Sequence, residues 1–138
     1  MNVMIDTNVI LDVMGKREPF FQHSASVLML VAQQNLSASI TANTITDIYY
    51  LSKKFIPNRE EIKRALLNLM DLLNVVEVSG TDCMKAFDFG MNDYEDALLA
   101  QCAKRNKATY IVTRNTKDFE DSPVEAIAPE DFLNRFFP

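Results

Sequence analysis

Asn2-Val3-Met4-Ile5-Asp6-Thr7-Asn8-Val9-Ile10-Leu11-Asp12 opens the chain, and its reading decides the fold. Asn2 to Asp6 reads as a short buried strand, because its apolar residues run without alternation and stop at the polar pair Asp6-Thr7. A helix follows through Asn8 to Met14, closed by Gly15 and the charged stretch Lys16-Arg17-Glu18. Strand then helix is the unit, and the rest of the chain repeats it.

Pro19 suits the entry to a second helix that runs to about Gln34, with Ala25, Leu28, Met29 and Ala32 at helical spacing. Ser37 to Thr41 reads as the next strand. Thr44 to Lys54 follows a helical period through Ile45, Ile48, Tyr49 and Leu51, and Pro57 stops it. Asn58 caps a helix over Arg59 to Leu73, where Ile62, Leu66, Leu69, Met70 and Leu73 form one stripe. Val75 to Val78 is the third strand. Ser79 or Thr81 then caps a short helix to about Phe89, and Asp93 caps another from Tyr94 to Arg105. Tyr110 to Thr113 makes a fourth strand. A short apolar piece, Val124 to Ile127, precedes Pro129 and a last helix ending near Phe136. Strands and helices alternate from end to end, which predicts an α/β fold: a three-layer α/β/α sandwich with a mainly parallel central sheet.

The 138 residues, 48% of them apolar, match one domain over residues 1–138. With 3 glycines, 5 prolines and no low-complexity run, neither disorder nor a long linker is expected. The longest apolar run, Val27 to Ala32, is far short of the ~20 residues of a membrane span. Asp6 arrives too early for a secretory signal, and Cys83 and Cys102 form neither a zinc pattern nor a disulfide framework. Both thiols read as small core residues, and a cytoplasmic location is expected. The net charge of −5 argues against holding nucleic acid by bulk electrostatics. That total is uneven: residues 1–70 carry 7 basic and 6 acidic side chains, residues 71–138 carry 7 and 13. The surplus is either a solvated acidic face or a group gathered to hold a cation.

In an open parallel sheet the reacting site lies beyond the carboxyl ends of the strands. Asp6 closes the first strand, Asp47 lies near the start of the helix after the second, Asp96 starts the helix before the fourth, and Asp118 follows the fourth. Carboxylates brought together there would repel, and a hard divalent cation such as Mg²⁺ or Mn²⁺ is the usual resolution. The chemistry that suits such a cation is hydrolysis of a phosphodiester. A blander reading stands beside this one. Asp93-Tyr94-Glu95-Asp96 and Thr44-Ile45-Thr46-Asp47 both have capping-box spacing, so either acid could serve only its helix. Asp6 resists that reading, since a carboxylate at the end of a buried strand needs a partner.

At this point the chain resembles a known family. Met4 to Asp12 is similar to the opening motif of PIN domains, Asp93-Tyr94-Glu95-Asp96-Ala97-Leu98-Leu99-Ala100 to their third acidic motif, and Tyr110 to Phe119 to their last. The closing Ile127 to Leu133 resembles the tail of a bacterial branch that holds the toxin components of toxin–antitoxin pairs. The resemblance implies a metal-dependent endoribonuclease. Carried across, Asp6, Asp47 and Asp96 correspond to the acidic positions that hold Mg²⁺ or Mn²⁺, with Asp118 as the fourth. Asp93 is an extra ligand or the helix cap, Thr7 and Asn8 would orient Asp6, and Thr113 would support the site through its hydroxyl. The partners implied are RNA, a small antitoxin protein and a second copy of the chain.

Two departures from the family pattern matter. Asp47 stands where Glu is frequent, and Asn115 stands where many relatives have Asp, which removes one negative charge. These motivate an alternative: a PIN-fold module of weak or no activity that binds RNA or a protein partner. Among the basic residues, Arg114 and Lys117 are best placed by sequence to contact RNA phosphates. His23 and the seven methionines read as structural.

Overall fold

A computed structural model describes residues 1–138. Five strands, β1 (Asn2–Ile5), β2 (Ser37–Thr41), β3 (Asn74–Val76), β4 (Tyr110–Val112) and β5 (Ala126–Ile127), form one sheet in the order β3-β2-β1-β4-β5. Every neighbouring pair is parallel. The opening strand is therefore central, with Met4 paired to Ser39 on one side and Ile111 on the other.

Period-two alternation divides the sheet between two cores. Val3, Ile5, Ile40 and Val112 enter the larger core, formed with α1 (Thr7–Met14), α2 (Phe21–Ala32), α3 (Ala42–Ser52), α4 (Arg59–Leu72) and α7 (Pro129–Phe136). Met4 and Ile111 point the opposite way, onto Leu99, Ala100, Cys102 and Ala103 of α6 (Tyr94–Arg105). The short α5 (Gly80–Lys85) packs beside α6. The result is the three-layer sandwich expected from the alternation of strands and helices, with a wholly parallel sheet. No helix is long and apolar enough to cross a membrane.

Local differences from the sequence reading have identifiable causes. The third strand ends at Val76, because the Glu77 carbonyl turns to accept from Arg105 and Ser79 starts a capped helix. That helix stops at Lys85, and Ala86–Phe89 tightens into a 3₁₀ turn ended by Gly90 at φ 68°, a left-handed conformation a glycine adopts without a Cβ clash. Helix α3 starts at Ala42, two residues earlier than the apolar period implied. Thr44 does not cap it; its hydroxyl bonds that of Thr41 at 2.8 Å, so no capping box ties down Asp47. The apolar piece after Val124 contributes a fifth, edge strand. Cys102 is buried as expected, whereas Cys83 is only half-buried.

One buried acid braces α5 against α6. Asp82 is 1% exposed and forms a reciprocal capping box with Ser79. It also accepts from Gln101 at 3.1 Å and from both Nε and Nη2 of Arg105. Burial works against its charge, but these donors win, led by Arg105, and hold the carboxyl below the usual range. A depressed carboxyl stabilises the fold above its unfolded value and loses that contribution as pH falls through the folded one. Asp82→Ala should therefore destabilise the protein by roughly 2–3 kcal/mol at neutral pH, less than a fully buried pair because Arg105 keeps water on its outer edge. Denaturant midpoints of wild type and variant should converge as the solution is acidified below the ordinary carboxylate range.

Candidate active site

The strand order changes direction between β1 and β4, and there the carboxyl ends of the two strands open a cleft. Asp6 stands at its floor. Its backbone N–H completes the ladder to Val112, and its carboxylate caps α1 by accepting from the Thr7 N–H at 2.7 Å. The second oxygen accepts from the Thr113 hydroxyl at 2.8 Å and from the Asn8 amide at 3.3 Å. Thr113 is fully buried, and its oxygen in turn accepts from Asn8 and from the Asn115 N–H. The two strand ends are thereby laced together through one carboxylate.

The cleft is open, about 540 Å³, and its acidic lining comprises Asp6, Asp47, Glu95 and Asp96, with Asn115 at the edge. Asp47 reaches it from the second turn of α3 and Asp96 from the first turn of α6. Asp93 caps α6 by accepting from the Asp96 N–H at 2.9 Å. It is exposed and does not line the cleft. Asp118 and Lys117 lie exposed on a 3₁₀ turn, Thr116–Phe119, also outside the lining, although the charge of Asp118 is felt at Asp6 and Asp96. Of the four proposed ligands, three therefore share one cleft and the fourth stands near it.

Crowding is visible in the protonation equilibria. Desolvation by burial is the main reason Asp6 is raised above the ordinary carboxylate value; the Thr113 and Thr7 hydrogen bonds resist it, and Asp118 and Asp93 add to it. Asp96 is pushed up to about 7, first by desolvation and then by the charges of Asp6, Asp93, Asp118 and Glu95. Glu95 is raised chiefly by the neighbouring Asp47 carboxyl, which favours its protonated form, and then by burial. Glu95 is thus a cleft residue that sequence reasoning missed. Its only signal was its place in the acidic run before α6.

Arg17 and Arg114 line the same cleft, yet neither pairs with these acids. Both bind Asp12, which is 0% exposed on α1. Arg114 grips it with Nε at 2.7 Å and Nη2 at 3.1 Å, Arg17 with Nε at 3.1 Å, and the Ser24 hydroxyl donates at 3.2 Å. The sequence signal for Asp12 was an acid on the apolar turn Val9-Ile10-Leu11. Arg17, from the charged stretch after α1, had no signal beyond its charge.

The donor set suits a hard divalent cation: it is all oxygen, and its charge is left unneutralised by the local arginines. As the side chains are placed, no three acidic, histidine or cysteine groups stand close enough to enclose an ion. An ion here would need waters among its ligands, as Mg²⁺ commonly keeps.

A model of the PIN domain matches residues 2–117. No curated protein matches the chain significantly. Solved structures similar to it include VapBC2 from Rickettsia felis, bound to a DNA fragment from its promoter, at 18% identity and a TM-score of 0.71 over 93% of this chain and 98% of that one. VapBC-1 from nontypeable Haemophilus influenzae is similar at 20% identity and a TM-score of 0.69, covering 94% and 99%. VapC20 from Mycobacterium tuberculosis, a sarcin-ricin loop cleaving toxin, is similar at 11% identity and a TM-score of 0.67, covering 84% and 92%.

Because the folded value of Asp96 is raised, that carboxyl costs nothing where both folded and unfolded chains hold its proton, and it costs stability as pH climbs from about 4 through 7. In chelator, Asp96→Asn should therefore be more stable than wild type by about 1–2 kcal/mol near pH 8, after allowance for solvent screening, and equal to it near pH 4. Urea denaturation at the two pH values checks this.

Proposed function

The chain belongs to the PIN-domain family, and on that premise we propose that it is a metal-dependent endoribonuclease, the toxin of a toxin–antitoxin pair. One observation carries the reading: Asp6, Asp47, Glu95 and Asp96 converge on one cleft at the strand ends while the nearest arginines are bound elsewhere. In this reading residues 1–138 form one nuclease domain that works in the cytoplasm on RNA. The similar structures from Rickettsia and Haemophilus are VapBC structures, another similar structure is a toxin–antitoxin complex from Klebsiella pneumoniae, and VapC20 is a sarcin-ricin loop cleaving toxin. These support a small antitoxin as partner and RNA as substrate. A homodimer is the arrangement we propose for the toxin itself.

Asp6, Asp47 and Asp96 would hold Mg²⁺ or Mn²⁺, with Asp118 or Asn115 completing the set from the loop after β4. When bound, such an ion neutralises the phosphodiester, lowers the pKa of an attacking water and stabilises the leaving oxygen. The protein's own part is orientation. Thr7, Asn8 and Thr113 aim both oxygens of Asp6, and Asn8 also ties the β4 loop by accepting from the Arg114 N–H at 3.2 Å. Arg114, and Lys117 from outside the cleft, would meet substrate phosphates.

Purified protein should cut single-stranded or looped RNA in Mn²⁺, and Asp6→Asn should abolish cutting without unfolding the chain. Thr113→Val should lower activity roughly 10–100-fold by freeing the Asp6 carboxylate. Cutting that continues in excess chelator sinks the proposal. Asn115 favours a second reading, a module that binds RNA without cutting, and retention of RNA with no turnover at high protein concentration would select it.

A further inference from the structure

A buried carboxylate needs one guanidinium to satisfy its charge, and Asp12 has two. The Asp12, Arg17 and Arg114 group therefore carries a surplus positive charge. It sits in the wall of a cleft whose other charges are negative. Neither arginine is sealed in: Arg17 keeps 39% of its side chain exposed and Arg114 keeps 24%.

The remaining hydrogen-bond capacity points the same way. A guanidinium has five N–H donors in a rigid fork. Arg114 spends Nε and Nη2 on Asp12, and Arg17 spends Nε and Nη2 on Asp12 and the Asn8 carbonyl. Nη1 of each is left without a partner in the chain. Arg114 is further fixed by the Phe20 ring, its guanidinium carbon 3.9 Å from the centroid. Two oriented, charged forks with free outer edges suit the oxygens of a phosphate diester.

An acidic cleft repels the strand it would cut unless something local offsets the repulsion. Resting on the ribonuclease reading above, we propose that Arg17 and Arg114, clasped by Asp12, seat a backbone phosphate of single-stranded RNA at the wall of the cleft. Asp12 is the positioning residue: it holds two like charges side by side and keeps both away from the catalytic carboxylates.

The test uses Asp6→Asn protein as parent, so that the strand is not consumed, and a short fluorescein-labelled oligouridylate whose binding is followed by anisotropy over a range of salt. Arg17→Gln should weaken binding several-fold at low salt and make the slope of log affinity against log salt shallower by about 0.7, the share of one phosphate on a single strand. Arg17→Lys should keep the parent slope, since the charge remains. Lys63→Gln removes the same charge from the exposed face of α4 and should leave the slope unchanged. Arg114 still satisfies Asp12 in the Arg17 variants, so both should melt near the parent temperature. A slope and affinity unaltered in Arg17→Gln overturn the proposal while leaving the ribonuclease reading intact, as does an equal effect of Lys63→Gln. A parent protein that neither binds the strand nor, as wild type, cuts RNA overturns both.

Discussion

The structure turns on the bond between the Thr113 hydroxyl and the Asp6 carboxylate, 2.8 Å long and made by residues 107 apart. It joins the ends of β1 and β4 where no ladder hydrogen bond is left to do so. A carboxylate in that position is costly to desolvate, and three donors offset part of the cost: a helix-cap N–H, a buried hydroxyl and an amide. Asn8 then carries the constraint outward, since its amide touches Asp6 and Thr113 while its oxygen holds the Arg114 N–H. The loop that follows β4 is thereby fixed to the start of α1. The cleft keeps its shape because both of its central walls hang from one side chain.

Much of this was legible in the sequence, for a physical reason. Short unbroken apolar runs and amphipathic stretches are local signals, and here they agree with the fold nearly everywhere, so α/β alternation and a parallel sheet followed. Asp6 was conspicuous because a charge at the end of an apolar run has few solutions. Thr7, Asn8 and Thr113 came only through a family resemblance. The third strand was placed about a residue or two late because Glu77 surrenders its carbonyl to Arg105, 28 residues away, a contact that no local pattern encodes. Thr44 looked like a cap, and its hydroxyl instead met Thr41. Glu95 and Asp47 are neighbours across two helices that only the packing brings together, and each lines the cleft.

Arg17 and Asp12 show the sharper limit. Nothing in a charged stretch after a helix says which carboxylate it will find, and Asp12 read simply as part of a motif. Its burial at 0% exposure, with two arginines and a serine around it, is a tertiary fact. The whole-chain charge of −5 was uninformative for the same reason, because what matters to a strand of RNA is where each charge has been put.

That placement follows one rule, seen by comparing the acids that have arginine partners with those that have none. Asp82 and Asp12 are both buried almost completely, and each is given arginine: one for Asp82, two for Asp12. Asp6, Glu95 and Asp96 are less buried and are given none, and all three are raised above the ordinary carboxylate value, whereas Asp82 is lowered. Asp12 needs only one of its two arginines; the second, set against the crowded carboxylates of the cleft instead, would have relieved a cost that they impose at neutral pH. Arg17 and Arg114 are close enough to line the same cleft, so distance does not explain their absence from these acids; Asp12 does. The cleft is left with a negative potential that a divalent cation would relieve, beside a positive group that a phosphate would relieve. Ion and strand would each offset a cost that the folded chain alone retains, so binding of either should favour the other.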